Sequence, residues 1–157
     1  MLRCGLRRAL QPRGKVATGR DMRDSSVPLQ RALNRGLAAA GVEVIDLGLC
    51  TTELGYFSSV QDNINATIVV TASHNPPEYN GFKCVLSNGV AVTLDTGLAE
   101  VEQLMQTMTE PAPESSHSPT KLGLHPSYID FIKTRFLPLT TTHIALNDIN
   151  GTAVTLA

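Results

Sequence analysis

The thirteen residues from Thr71 to Lys83 bring together a hydroxyl (Ser73), an imidazole (His74), two amides (Asn75 and Asn80) and an ammonium (Lys83). A hydroxyl fixed at the tip of a loop can carry a phosphoryl group. A neighbouring imidazole and ammonium can stabilise the charge that spreads over phosphoryl oxygens during transfer. Gly81 lets the backbone approach closely, and Pro76 and Pro77 limit the loop's freedom before a substrate arrives. Plainer readings stand beside this one. A Ser next to a His is ordinarily a solvated loop pair, Pro-Pro near Asn-Gly is ordinarily turn chemistry, and Lys83 reads equally well as a solvated cation. A Ser-His-Asp hydrolase fails a simple test, because no G-x-S-x-G elbow surrounds Ser73.

The elements that must position these groups are legible on either side. Ala66 to Thr71 is a continuous apolar, β-branched run, the pattern of a strand buried on both faces. The loop after it therefore emerges at a strand's carboxyl end, where open α/β sheets bind ligands. Upstream, Lys15–Thr18 predicts a strand running into the polar turn Gly19–Arg23. Ser25 or Ser26 then caps a helix with Pro28 in its first turn. Leu29, Leu33, Leu37 and Ala40 form its inner face, Ala32 and Gly36 widen that face, and Gly41 stops the helix. Val42–Leu47 reads as a strand, and Leu54, Phe57 and Val60 mark a short amphipathic helix.

Downstream, Phe82–Leu86 and Val90–Thr93 are strands around the turn Ser87-Asn88-Gly89. Asp95 or Thr96 starts a helix with Leu98, Val101, Met105 and Met108 inward. Thr109–Lys121 is linker-like in composition. Ile129, Ile132 and Phe136 suggest another helix, His143–Leu146 another strand, and a further helix starts after Gly151. Strands alternating with helices predict an α/β layer fold with helices on both sheet faces.

Composition narrows the function classes. A chain of 157 residues with 42% hydrophobic content suits one domain of ordinary size, and 4% aromatics with no Trp makes its core aliphatic. The net charge of −1 supplies no global field for nucleic acid or an anionic membrane. No apolar run approaches the ~20 residues of a membrane span. Cys4, Cys50 and Cys84 are odd in number and form no CxxC pair, so they read as reduced thiols of a cytoplasmic protein. The Arg-rich start, Met1–Arg13, lacks the apolar stretch and cleavage site of a secretory signal, which leaves a transit peptide as the minor alternative.

Taken whole, residues 71–83 resemble the phosphoserine loop of the α-D-phosphohexomutases, T-A-S-H-N-P-x-x-Y-N-G-x-K, at all ten fixed positions. The surroundings agree. Gly19-Arg20-Asp21-Met22-Arg23-Asp24-Ser25-Ser26 is similar to the family's G-R-D-x-R-x-S-S turn, and Gly41 through Gly48 to its G-x-x-V-x-D-x-G strand. Thr52-Glu53 followed by Tyr56-Phe57, and Asp95-Thr96-Gly97-Leu98, most resemble the bacterial phosphomannomutase branch. The resemblance covers about residues 5–135, and residues 144–157 loosely resemble the start of the family's second domain. It implies a three-layer α/β/α sandwich around a mixed sheet. Domain I would occupy residues 1–121 with its first strand missing, followed at 122–157 by a linker helix and the incomplete start of a second similar domain.

The resemblance also implies an intramolecular phosphotransferase that interconverts hexose 1-phosphate and hexose 6-phosphate through a hexose 1,6-bisphosphate. Ser73 would carry the phosphate and, once phosphorylated, ligate Mg²⁺ through a phosphate oxygen. His74 and Lys83 would be catalytic beside it, and Asn75 and Arg20 would contact substrate. Asn75 and Asn80 also suit a role in holding the loop's shape, and Arg20 and Arg23, in a turn after a strand, have an equally direct structural reading. The expected partner is a phosphosugar, with neither nucleic acid nor membrane. The family's D-G-D-x-D-R metal loop, G-E-x-S-G-H sugar loop and fourth-domain phosphate loop do not occur among the 157 residues. Ser73 alone cannot hold Mg²⁺ tightly, because a hard cation takes several oxygen ligands. The expectation is therefore a truncated mutase that needs domains II–IV in cis or in trans. The alternative is a catalytically silent α/β domain serving as an interaction module.

Overall fold

The computed structural model describes residues 14–107 and 118–136, together with residues 143, 145, 147, 151 and 152. Ten main elements run along these residues. They are β1 (Lys15–Arg20), α1 (Ser26–Ala39), β2 (Glu43–Leu49), α2 (Thr52–Ser59), β3 (Ala66–Val70), β4 (Phe82–Leu86), β5 (Ala91–Val92), α3 (Leu98–Thr107), β6 (Thr120–Lys121) and α4 (His125–Lys133). A 3₁₀ turn at Leu94–Thr96 precedes α3.

The sheet order is β5-β4-β3-β1-β2-β6. Strand β1 lies parallel to both β2 and β3, and β2 parallel to β6. Strands β4 and β5 turn back antiparallel, which makes the sheet mixed. All five residues of β3 are buried, as its unbroken apolar run requires.

Alternation along the strands sends side chains to two separate cores. Val16, Val44 and Ile68 face α1 and α3, packing with Leu37, Leu33, Leu98 and Val101. Ala17, Ile45 and Val69 face α2 and α4, packing with Leu54, Phe57, Leu124 and Tyr128. The result is three layers, helices on each side of one sheet. On the second face the Phe57 ring sits between Tyr128 and Phe131, with centroids 5.4 and 5.2 Å away. Helix α4 is thus packed onto the same body as β1–β5.

This topology decides where a site can form. From β1 the chain crosses one face through α1 to β2, then returns over the other face through α2 to β3. The loops leaving β1 and β3 therefore diverge, and a crevice opens at the carboxyl ends of these neighbouring strands. The β1 turn and the Thr71–Gly81 loop meet there.

Several local expectations are corrected. Helix α1 does not bury a purely apolar stripe: Ser26, Gln30, Asn34 and Leu37 are its buried residues, whereas Ala32 and Ala40 are exposed. The physical reason is a satisfied polar network. The Thr18 hydroxyl donates to Asn34 Oδ1 at 2.8 Å, and Gln30 Nε2 donates to Asp46 Oδ1 at 2.8 Å and to the Thr18 carbonyl at 3.2 Å. Paired in this way, amide side chains can sit inside at little cost. Ser25 stands at the N-cap position but makes no capping bond through its side chain.

Strand β1 runs on to Arg20 rather than stopping at Thr18, with a register shift against β2 between Thr18 and Gly19. Only glycine fits at the shift, because a Cβ on residue 19 would lie 2.2 Å from Cys50 Sγ. In α3, Leu98 and Val101 reach the core, but Met105 is 61% exposed, because nothing covers the outer half of that helix among the described residues. Met108 lies outside them. Thr120–Lys121, expected as linker, joins the sheet as β6. In α4 the anchors are Tyr128 and Ile132, and Phe136 is 72% exposed beyond the helix end. The expected strand at His143–Leu146 and the helix after Gly151 lie outside the described residues, apart from His143, Ala145, Gly151 and Thr152. Among the described residues no helix is long and apolar enough to cross a membrane.

Candidate active site

A cleft of about 610 Å³ occupies the crevice, with Asp21, Arg23, Cys50, Thr71, Ser73 and His74 among its walls. Ser73 is exposed and has φ +57°, a left-handed conformation that disfavours any residue with a Cβ. Such a residue stays there only when its surroundings fix it. Its own amide donates to Thr71 Oγ1 at 2.9 Å. Its hydroxyl lies 3.0 Å from His74 Nδ1. The Asn75 amide and side-chain Nδ2 both donate to the Ala72 carbonyl, at 3.1 and 2.9 Å. The loop is pinched at its base by Thr71 N donating to Gly81 O at 2.9 Å.

The strongest constraint comes from across the cleft. Arg23 donates through Nη2 to the carbonyls of Ser73 (3.0 Å) and Asn75 (2.7 Å). Through Nη1 it donates to those of Pro76 (2.7 Å) and Tyr79 (3.2 Å). A planar fork with five fixed donors suits this task and an ammonium does not. Its remaining donor, Nε, meets Asp21 Oδ2 at 3.1 Å. Asp21 Oδ1 in turn accepts from the Ser26 hydroxyl at 2.5 Å and from the Arg23 amide at 3.1 Å. Burial pushes the Asp21 carboxyl up, but hydrogen bonds from Ser26, Thr71 and Arg23, with the guanidinium's charge, outweigh it and hold the group below its ordinary 3.8. At the far end of the loop, Asn80 Nδ2 donates to the hydroxyls of Ser25 and Ser26 at 2.8 and 2.9 Å. The loop is therefore sewn along its length to the β1–α1 turn.

The structure brings Ser73, His74 and Asn75 together in the cleft. Lys83 is opposite Val69 in the β3–β4 register, on the same sheet face as this cleft-wall residue, but is not itself a wall residue. Arg20 is separated from the others. Its Nη1 donates to the Asp21 carbonyl at 3.3 Å, and its side chain lines a different depression with Gln30, Asp46 and Lys121. Asp21 and Thr71 were not picked out as site residues from sequence, although both stand in the strings that carry the family resemblance. Cys50 forms part of the cleft wall, and burial pushes its thiol up to about 12, so it stays protonated and is no rival nucleophile.

Mg²⁺ is a poor fit for the residues present. Among the described residues no three or more His, Cys, Asp or Glu side chains come together, and the Asp21 carboxylate is already engaged by Arg23 and Ser26.

Residues 4–112 match the family model described as phosphoglucomutase/phosphomannomutase, alpha/beta/alpha domain I. The chain belongs to this family. The phosphoglucomutase/phosphomannomutase match contains both the Arg23 turn and the Ser73 loop. The chain is 36% identical to a phosphomannomutase of Vibrio cholerae over 140 residues, 88% of this chain but only 30% of that protein. A Klebsiella pneumoniae phosphomannomutase is 38% identical over 119 residues, 74% of this chain and 76% of that one. A crystal structure of a phosphoglucomutase/phosphomannomutase family protein from Burkholderia thailandensis superposes with TM-score 0.59 at 34% identity. It covers 76% of this chain and 27% of that one. This family member thus spans about a third of the longer relatives it matches.

Proposed function

We propose that the domain performs the phosphoserine step of a cytoplasmic phosphohexomutase, a phosphomannomutase first among the candidates, with Ser73 as the residue that carries phosphate. The single observation that supports this best is Ser73 itself: an exposed hydroxyl held at φ +57° at the carboxyl end of β3, with the loop's carbonyls clamped by Arg23. A strained conformation this firmly fixed suits a reacting group.

In the reaction, Ser73 Oγ attacks one phosphorus of a hexose 1,6-bisphosphate. The Oγ–P bond forms as the bond from phosphorus to the sugar oxygen breaks. The hydroxyl proton passes to His74 Nδ1, 3.0 Å away, and is then delivered to the departing sugar oxygen. Ser73 then passes its phosphoryl group to the free hydroxyl of a hexose monophosphate, which re-forms the bisphosphate, and attack of Ser73 on the other phosphorus of that bisphosphate leaves the isomeric monophosphate. Lys83 is assigned to the charge on the phosphoryl oxygens, and Asn75 mainly to the loop's shape. The described residues of this chain do not form a Mg²⁺ site; the further ligands, like the choice of sugar, would come from domains II–IV.

Incubating the chain with mannose or glucose 1,6-bisphosphate, with those domains added in trans, should place one phosphate on Ser73, read by peptide mass spectrometry. Ser73→Ala should take none. No phosphate at position 73 under these conditions would leave a silent α/β interaction module.

A further inference from the structure

We propose that the depression between α1 and the β2–β6 edge is a second anion site, built to take the phosphate group of a small phosphorylated molecule. The depression has a volume of about 550 Å³ and shares no wall residue with the Ser73 cleft. Three cationic residues line it from three elements: Arg20 at the end of β1, Arg31 on α1 and Lys121 on β6. Asp46 is the one carboxylate in its wall, and Oδ1 of that group already accepts from Gln30 Nε2 and the Gly48 amide, each at 2.8 Å. Among the described residues no ion pair joins Arg20, Arg31 or Lys121 to an acid; the ion pairs are Lys15–Glu43 and Arg23–Asp21.

A buried relay adds a neutral donor. Gln30 Nε2 donates to Thr18 Oγ1 at 3.4 Å, and the Thr18 hydroxyl donates onward to Asn34 Oδ1 at 2.8 Å. Asn34 is only 8% exposed, its oxygen is committed to Thr18, and its side chain lines the depression. Among the described residues no hydrogen bond engages the Asn34 NH₂, so it is the end of that amide left for a ligand.

Two guanidinium forks, one ammonium and one amide NH₂ call for a ligand that only accepts hydrogen bonds and offers several oxygens. A phosphate dianion meets that description, and guanidinium geometry favours it. The volume exceeds a bare phosphate ion and falls within the range of small-molecule pockets, which points to a phosphate ester. The site stands whether or not Ser73 is ever phosphorylated.

The test uses the full 157-residue chain carrying Ser73→Ala, which removes the other phosphate chemistry. Inorganic phosphate and glucose 6-phosphate are titrated separately by calorimetry, while NMR follows the Asn34 side-chain amide. Saturable binding is expected, tighter for the ester, with the Asn34 resonance moving. Arg31→Gln and Lys121→Gln should each weaken it by roughly tenfold, the scale of one charge-assisted hydrogen bond. Arg35→Gln, on the same helix but outside the depression, should leave it unchanged. Equal affinity for both probes would assign the site to phosphate itself and still support it. Unaltered affinity in the Arg31 and Lys121 variants, equal weakening in the Arg35 variant, or no saturable binding by either probe overturns the proposal. Arg31, Arg35 and Lys121 are exposed, so thermal melts of these variants should match the parent.

Discussion

Arg20 ends β1 and Arg23 stands three residues on, in the turn that follows, yet they serve two regions built on opposite principles. Around Ser73, the guanidinium of Arg23 is spent inward: four loop carbonyls and the Asp21 carboxylate take up its donors. Around Arg20, three cations face a depression and Asp46 is the sole acid in its wall. The first region is over-determined and holds the Ser73 hydroxyl in place. The second leaves donors open and waits for something to accept them. A polar cluster whose bonds close on themselves sets shape, and one whose bonds stay open sets recognition.

Breaking the closed region should give the largest effect. Arg23→Ala frees the Ser73, Asn75, Pro76 and Tyr79 carbonyls, and should slow phosphate transfer to Ser73 by about 10²-fold, the usual consequence of a misplaced reacting group. Arg23→Lys should recover little of this, because one ammonium cannot bridge four carbonyls. Timed mass spectrometry of the Ser73 peptide checks both.

Next in size is the wall between the two regions. Gly19→Ala drives a Cβ to 2.2 Å from Cys50 Sγ and should destabilise the fold by about 1–3 kcal/mol in denaturant melts. Trimming the thiol in a Gly19→Ala/Cys50→Ala double variant should recover part of the loss.

Ser73→Gly separates shape from chemistry. Glycine relieves the left-handed strain, worth about 1–2 kcal/mol, but adds freedom to the unfolded chain, so a net gain near 0.5 kcal/mol is expected. Phosphate uptake should vanish in the same protein. A loss of stability there would mean that the hydroxyl itself supports the loop.

A smaller effect comes with acid. The folded Asp21 carboxyl titrates below its ordinary 3.8, so its contribution is intact above that value and fades as pH falls through the depressed one. Asp21→Asn should flatten this part of the stability-against-pH curve, and at neutral pH the remaining difference reports the lost pairing of the Asp21 carboxylate with Arg23 and Ser26. The smallest change belongs to the open region. Arg31→Gln should shift stability by no more than about 0.5 kcal/mol, since the side chain is exposed and forms no ion pair among the described residues.

Much of this was legible in the sequence, and what escaped has physical causes. The continuous run Ala66–Thr71 announced a fully buried strand, observed over Ala66–Val70, and alternating elements announced helices on both faces of a sheet. The ten matched positions from Thr71 to Lys83 located the loop. Hydrophobic periodicity found Leu33 and Leu37 on the inner face of α1 but missed Gln30 and Asn34, which are buried through partners on β1 and β2 that local spacing does not reveal. The same limit applies to the two arginines. Both fall in the stretch Gly19–Arg23 that the sequence reads as a turn, and only the fold, which carries β1 through Arg20, shows that Arg23 is the one that reaches the loop carbonyls. Thr120–Lys121 read as linker because a two-residue edge strand leaves almost no pattern.

The bonds from Arg23 to the loop span 50 to 56 residues of chain. Contacts between such distant segments form only after the intervening polypeptide has been brought back on itself, so they belong to the late side of the folding barrier. The loop that holds Ser73 should then take its shape late. The β1–β3 pairing, Val16 opposite Ala66, closes the same span, so position 73 would gain its shape only with the centre of the sheet, and phosphate arriving earlier would find no fixed acceptor.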